Sequence, residues 1–159
     1  MPEKTTRPSW DEYFSQLAVM VGTRGTCDRG RCGAIITKDR RIVSTGYAGS
    51  PVGCRHCDEI GHELHLVTHE DGSETKHCIR TTHAEQNAIC QAARFGIALD
   101  GGTIYVKMSP CYACAKMIIN AGIKRVVCNQ DYQDSKRSKE IFKEAGVEFV
   151  LLDDTVVSY

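Results

Sequence analysis

His83-Ala84-Glu85 and, further along, Pro110-Cys111-Tyr112-Ala113-Cys114 carry the residue types in this chain best suited to chemistry. One histidine and two closely spaced cysteines offer three protein ligands to a zinc ion, which leaves the fourth tetrahedral position to water. A site left open in this way activates water, whereas a structural site is closed by four protein ligands. Glu85, two residues beyond the histidine, stands where a general base would take that water's proton. The expected chemistry is hydrolysis by a metal-activated water.

Two helices must position these groups. Thr81-Thr82-His83-Ala84-Glu85 leads into Ala88, Ile89, Ala92 and Ala93 at helical spacing, and Gly96 closes the run, so His83 is expected in the first turn of a helix. Ser109-Pro110 predicts the start of a second helix, with serine as N-cap and proline at the first helical position, ending at Ala121-Gly122. Cys111 and Cys114 then share one face of its first turn. The partial positive charge at a helix N-terminus lowers thiol pKa and favours the thiolates a metal needs.

Taken singly, each piece has another meaning. Thr82-x-x-Glu85 is also a capping box, in which the glutamate returns to the cap backbone and has no catalytic task. A lone Cys-x-x-Cys serves zinc ribbons and redox pairs, although no thioredoxin-like first strand precedes this one. The two motifs together, each at a helix start, favour the open zinc site.

Composition narrows the partners. The chain has 159 residues, with 20 basic and 20 acidic side chains and a formal net charge of zero. A protein that grips a nucleic-acid polymer normally carries a basic surplus, so none is expected here. The clustered positive charge at Arg24, Arg29, Arg31, Lys38, Arg40 and Arg41 suits one small phosphate better. Nine cysteines are an odd number, and no leader with an apolar central region is seen, so disulfides are not expected and a reducing cytoplasmic setting is. No stretch approaches the roughly 18 apolar residues of a membrane span.

A single domain is expected over residues 1–159. Helix is predicted from Ser9 to about Val21, and a hairpin from Gly33–Thr37 and Arg41–Tyr47 about the turn Lys38-Asp39-Arg40. Strands follow at Thr103–Met108, Arg125–Cys128 and Val147–Leu152, with a helix at about Ser135–Ala145. The alternation implies an α/β fold: a three-layer α/β/α sandwich around a five-stranded mixed sheet. Residues 51–80 read as an irregular Cys/His-containing insertion that holds five of the six histidines. A second, structural zinc would order it, with Cys27, Cys57 and Cys78 as leading ligands and a loop histidine as fourth.

Beyond the two motifs, several segments have a familiar form: Gly46-Tyr47-Ala48-Gly49-Ser50-Pro51, His56-Cys57, Cys78-Ile79-Arg80, Ile118-Ile119-Asn120-Ala121-Gly122-Ile123 and Asp131-Tyr132-Gln133-Asp134-Ser135. Over roughly residues 8–150 the chain resembles the zinc-dependent cytidine deaminase superfamily, whose general signature is the His-x-Glu and Pro-Cys-x-x-Cys pair. The surrounding segments resemble its deoxycytidylate (dCMP) deaminase family. The resemblance implies a cytidine deaminase-like fold, and a reaction in which dCMP and water give dUMP and ammonia. His83, Cys111 and Cys114 would be the zinc ligands and Glu85 the proton shuttle. It also implies a hexamer activated by dCTP and inhibited by dTTP, each bound with Mg2+. Gly46, Tyr47, Gly49, Ser50 and Arg94 are the matching candidates for nucleotide contacts, and Arg24, Arg31, Tyr132 and Ser135 are candidates for the dCMP phosphate. Ala48 departs from the asparagine common in the family at that position, and since the alanine side chain can neither donate nor accept a hydrogen bond, one nucleotide contact there is expected to be absent or replaced by Ser50. Two other readings remain at this stage: a deaminase of cytidine, guanine or tRNA adenosine on the same scaffold, and a non-catalytic zinc-stabilised binding module.

Overall fold

Local capping rules place the first element in the computed structural model, which describes residues 6–157. Ser9 is the N-cap of α1 (Trp10–Gly22): its hydroxyl accepts from Glu12 N at 3.2 Å, and the Glu12 carboxylate accepts from Ser9 N at 2.7 Å. The predicted hairpin follows as β1 (Gly33–Lys38) and β2 (Arg41–Tyr47). Its turn residues Asp39 and Arg40 both adopt positive φ, 49° and 59°, the conformation whose twist suits a two-residue hairpin loop.

The main sheet runs in the order β2-β1-β5-β6-β7, with β5 (Thr103–Met108), β6 (Arg125–Tyr132) and β7 (Glu148–Leu151) mutually parallel and β1 antiparallel to both of its neighbours. A short β8 (Val156–Val157) pairs beside the end of β6. The parallel strands are joined by α4 (Tyr112–Asn120) and α5 (Lys136–Glu144), while α3 (Ala84–Phe95) enters between the hairpin and β5. Strand alternation assigns the two faces. Ile36, Ile104, Val106 and Val126 pack under Ala84, Ala88 and Ala92 of α3, Ile118 of α4 and Phe142 of α5. Ile35, Tyr105 and Val127 point the other way, onto Phe14 and Ala18 of α1. This is the expected three-layer α/β/α sandwich with a mixed sheet. No helix among the described residues is long and apolar enough to cross a membrane.

Residues 51–80 are not the irregular loop expected. They hold a one-turn α2 (Cys57–Ile60) and a separate antiparallel hairpin, β3 (Leu64–Thr68) and β4 (Glu74–Cys78). The hairpin eluded the pattern because nearly all of β3 is exposed, so no buried face imposes an apolar alternation.

Two contacts fix the helices on the sheet. Gly46 of β2 lies against α3 so closely that a Cβ there would fall 2.3 Å from Ala84 O and 2.5 Å from Ala88 N, and Ser44 Oγ donates to Ala88 O at 2.6 Å. On the other face, Arg125 donates to both carboxylate oxygens of Asp11 at 2.6 and 2.7 Å, and Tyr105 OH donates to the same carboxylate at 2.9 Å. The Arg125 guanidinium holds Asp11 below its ordinary carboxylate range, while burial and Asp11 push Tyr105 up to about 12.

Gly46→Ala is expected to destabilise the fold by about 2 kcal/mol or more, because backbone cannot rotate away from the new methyl group. A lowered urea midpoint at unchanged slope would register this, and an unchanged midpoint would refute the close packing. Asp11→Asn should cost about 1 kcal/mol at pH 7, the pair being partly exposed. A depressed carboxylate pKa stabilises above the ordinary value of 3.8 and loses that contribution as pH falls through the folded value. The wild-type advantage over Asp11→Asn should therefore shrink in urea titrations as the pH is taken progressively below 3.8.

Candidate metal centre and active site

His83 is the N-cap of α3, one position ahead of the expected first turn. Its backbone N–H donates to Gln86 Oε1 at 3.0 Å, so the glutamine performs the capping-box role and Glu85 is not used for it. Paired backbone bonds between Thr82 and Gly49, at 2.8 and 3.2 Å, fix the chain just before His83. Asn87 Nδ2 adds a bond to Tyr47 O at 2.7 Å. The start of α4 lies two residues beyond expectation: Cys111 is the N-cap and Cys114 the third helical residue. Ser109, expected as that cap, instead donates its hydroxyl to Asp131 at 2.7 Å.

The two helix starts bring three donor atoms together. His83 Nδ1 lies 3.3 Å from Cys114 Sγ and 3.5 Å from Cys111 Sγ. Zinc bonds of about 2.3 Å to sulfur and about 2.0 Å to nitrogen, meeting at a tetrahedral angle, separate such donors by about 3.5 Å. The trio therefore fits a zinc ion in both chemistry and spacing. Its electrostatics point the same way. The hydrogen bond with Cys114, together with His83, lowers Cys111 to about 4, and the Cys111 thiolate in turn raises His83 to about 9. Cys114 is pushed up because Cys111 already carries the negative charge. Binding a cation would reverse the last two shifts and release protons.

Glu85, 8% exposed, lines the same pocket as His83 and Cys111, and burial raises its pKa. Of the residues expected at a nucleotide, Tyr132 lines this pocket. Arg24 and Arg31 are exposed and lie outside its lining; Arg29, Lys76 and Lys107 are the cations that do line it. Gly46 is occupied by the approach of α3, and Gly49 by the bridge to Thr82. Tyr47 is exposed and its carbonyl receives Asn87. Ser50 is buried and its hydroxyl finds no partner among the described residues. Arg94 sits in the last turn of α3 over the Phe95 ring, and Ser135 turns its hydroxyl to Asp131. Ala48 lines the pocket with its methyl group, its own N–H and carbonyl being bonded to Cys32 and Thr26.

A second cluster joins Cys27, Cys57 and Cys78 with His62, all donor atoms lying within 4.8 Å of one another. Cys57 Sγ is 3.5 Å from Cys78 Sγ, and Cys27 Sγ is 3.4 Å from His62 Nδ1. Burial pushes Cys57 up to about 12; Cys78, although also partly desolvated, is brought down to about 6 by backbone N–H donors and by Cys57. The outer nitrogen of His62 is 2.9 Å from Asp28, the kind of carboxylate partner that orients a ligating imidazole. Four protein donors make a closed set, in contrast to the three around His83.

Comparison with known proteins agrees with this geometry. Residues 8–130 match the family described as the cytidine and deoxycytidylate deaminase zinc-binding region. The chain is 42% identical over 153 residues to ComE operon protein 2 of Bacillus subtilis (strain 168), covering 95% of this chain and 76% of that protein. It is 38% identical over 125 residues to deoxycytidylate deaminase of Mycobacterium phage D29, covering 77% of this chain and 95% of the phage protein. The crystal structure of dCMP deaminase from the cyanophage S-TIM5, in complex with dCMP and dUMP, superposes with a TM-score of 0.73 at 29% identity, over 92% of this chain and 99% of that one. With this likeness spanning both helix starts and the strands behind them, the chain belongs to the deoxycytidylate deaminase family of enzymes.

Proposed function

We propose that this enzyme hydrolyses dCMP to dUMP and ammonia at a zinc ion held by His83, Cys111 and Cys114. The observation that carries the reading is a buried carboxylate, Glu85, in the same pocket as a three-donor trio spaced for a tetrahedral ion. Zinc bound there would supply the acidity that makes water nucleophilic near neutral pH. Glu85 takes a proton from the water as its oxygen bonds to C4 of the ring, and delivers that proton to N3. It then carries the second proton to the exocyclic amine, which leaves as ammonia as the C4 carbonyl forms. A carboxyl whose pKa burial has raised is suited to both halves of this shuttle. The neutral net charge favours a free nucleotide over a polymer.

The proposal extends to the cluster of Cys27, Cys57, His62 and Cys78 as a closed structural zinc site that orders residues 51–80. From the family resemblance it also takes in a hexamer activated by dCTP and inhibited by dTTP, each with Mg2+.

Glu85→Ala should retain its catalytic zinc and lose turnover of dCMP by about 10³-fold or more. A near-normal rate of ammonia release would sink the mechanism. The same assay run with each effector tests the regulation, which is discarded if neither nucleotide changes the rate. Metal analysis should find about two zinc ions per chain, falling to about one in Cys57→Ser. A wild-type content near one removes the structural site.

A further inference from the structure

Of the run Asp131-Tyr132-Gln133-Asp134-Ser135, which begins at the end of β6, Tyr132 lines the pocket. Asp131 precedes it in the chain and stands outside the lining. Its carboxylate gathers four donors. Oδ1 accepts from the Ser109 hydroxyl at 2.7 Å, the Ser135 hydroxyl at 2.6 Å and Tyr132 N at 2.9 Å, and Oδ2 accepts from Lys139 Nζ at 2.5 Å. An ionised carboxylate offers about four acceptor sites, so these donors use them all. Burial pushes Asp131 up, but Lys139 and the two hydroxyls outweigh it and hold the carboxyl below its ordinary range. The group therefore has neither a proton to give nor an acceptor site left for a substrate.

The four donors come from three elements that surround the start of α4. Ser109 follows the last residue of β5, Tyr132 ends β6, and Ser135 and Lys139 are the N-cap and an early residue of α5. Ser109 is tied to β6 twice, because its backbone N–H also donates to Gln130 O at 3.0 Å. Pro110 comes next; it is fully buried, and its ring fixes φ. Cys111, the N-cap of α4, is thus two residues from a held serine across a restricted linkage. A second tie reaches the same turn from α5, where the Arg137 guanidinium lies 4.1 Å from the centre of the Tyr112 ring. On the opposite side of the trio, the Gly49–Thr82 bridge fixes the chain before His83. Asp131 does the corresponding work for the cysteines.

We propose that Asp131 is a positioning residue for the metal trio: by holding Ser109 against β6 and α5, it sets Cys111 and Cys114 at the spacing a zinc ion needs opposite His83. Ser109 transmits the constraint along the chain, and Lys139 aims the carboxylate. The proposal rests on the zinc deaminase reading of this pocket. Partners outside a metal's own ligands commonly alter metal affinity or activity by about 10- to 100-fold when removed.

The test follows zinc transfer to a chromophoric chelator and steady-state deamination of dCMP in the wild type, Ser109→Ala, Asp131→Asn and the double variant. The zinc phase that is lost in Cys114→Ser reports the trio. Each single variant should weaken zinc retention in that phase about tenfold and lower kcat by a similar factor, with KM little changed. Asparagine keeps the shape of Asp131 but turns an N–H2 group toward donors, so it cannot serve all four. The double variant should lose no more than the worse single one, since both act through one contact. Asp11→Asn, which breaks an ion pair on the far face of the sheet, is the control for general destabilisation and should match the wild type in zinc retention and kcat. Ser109→Ala removes one oxygen and keeps every backbone bond, so it decides the matter if Asp131→Asn does not fold. Unchanged zinc retention in Ser109→Ala and Asp131→Asn overturns the proposal, and so does an equal loss in Asp11→Asn. Effects that multiply in the double variant overturn the route through Ser109. The chelator competition needs no turnover, so a wild type that holds zinc at the trio and releases no ammonia from dCMP counts against the proposed function alone.

Discussion

The close approach of α3 to β2 is the constraint on which the active site depends. Gly46 has no side chain and Ala84 and Ala88 have only methyl groups, so helix and strand backbones meet almost directly. Any larger residue at Gly46 would push the first turn of α3 outward, and that turn begins at His83 and carries Glu85. The double backbone bridge between Gly49 and Thr82 and the bond from Asn87 to Tyr47 hold the same end of the helix against the strand exit. Catalytic geometry tolerates little displacement, so a rigid, small-residue interface is a suitable foundation for the roles proposed for His83 and Glu85.

From this foundation the trio of His83, Cys111 and Cys114 is an encounter between two helix starts. Each places one of the donors at its N-cap, where backbone N–H groups point outward and favour negative charge. The hydrogen bond with Cys114 and the neighbouring imidazole hold Cys111 well below the usual thiol range, and the helix field acts in the same direction. A helix interior could not do this, because its N–H groups are consumed within the helix. The capping arrangement divides labour between neighbours as well. Gln86 returns to the backbone of His83, and Glu85, one residue earlier, is buried in the pocket. Had the box fallen one position earlier, on Thr82 and Glu85, the carboxylate would have been spent on the helix end.

That shift of one residue shows what the sequence could and could not say. Strands β1, β2 and β5 and the meeting of His83, Cys111 and Cys114 were legible because apolar alternation and donor type are local properties of the chain. Cap positions were not: Ser109-Pro110 is a sound helix start by local chemistry, yet Asp131, which takes the Ser109 hydroxyl, is remote along the chain. The β3–β4 hairpin was missed for a related reason, since its order comes from His69 meeting Asp134 and from a cluster that includes Cys27, both distant in sequence. The cluster's cysteines could be named, but choosing His62 among five loop histidines requires the fold. Of the arginines clustered early in the chain, Arg29 lines the pocket and Arg24 and Arg31 do not, and which of them faces inward is decided by the fold.

The inserted segment and the catalytic helix are mechanically continuous. Cys78 of the closed cluster is separated from His83 by four residues, and Arg80 between them donates to Gly61 O at 3.1 Å and faces Glu63. Thr82 is then clamped to Gly49. The chain therefore enters the pocket already ordered by these hydrogen bonds, and the zinc site proposed for the cluster would offset the entropy of residues 51–80 upstream of it. A loop joining β2 to α3 without that order would leave the pocket wall formed by β4 to be organised at each binding event, at a cost in affinity. Placing a closed donor set beside an open one lets the first hold the scaffold that the second uses.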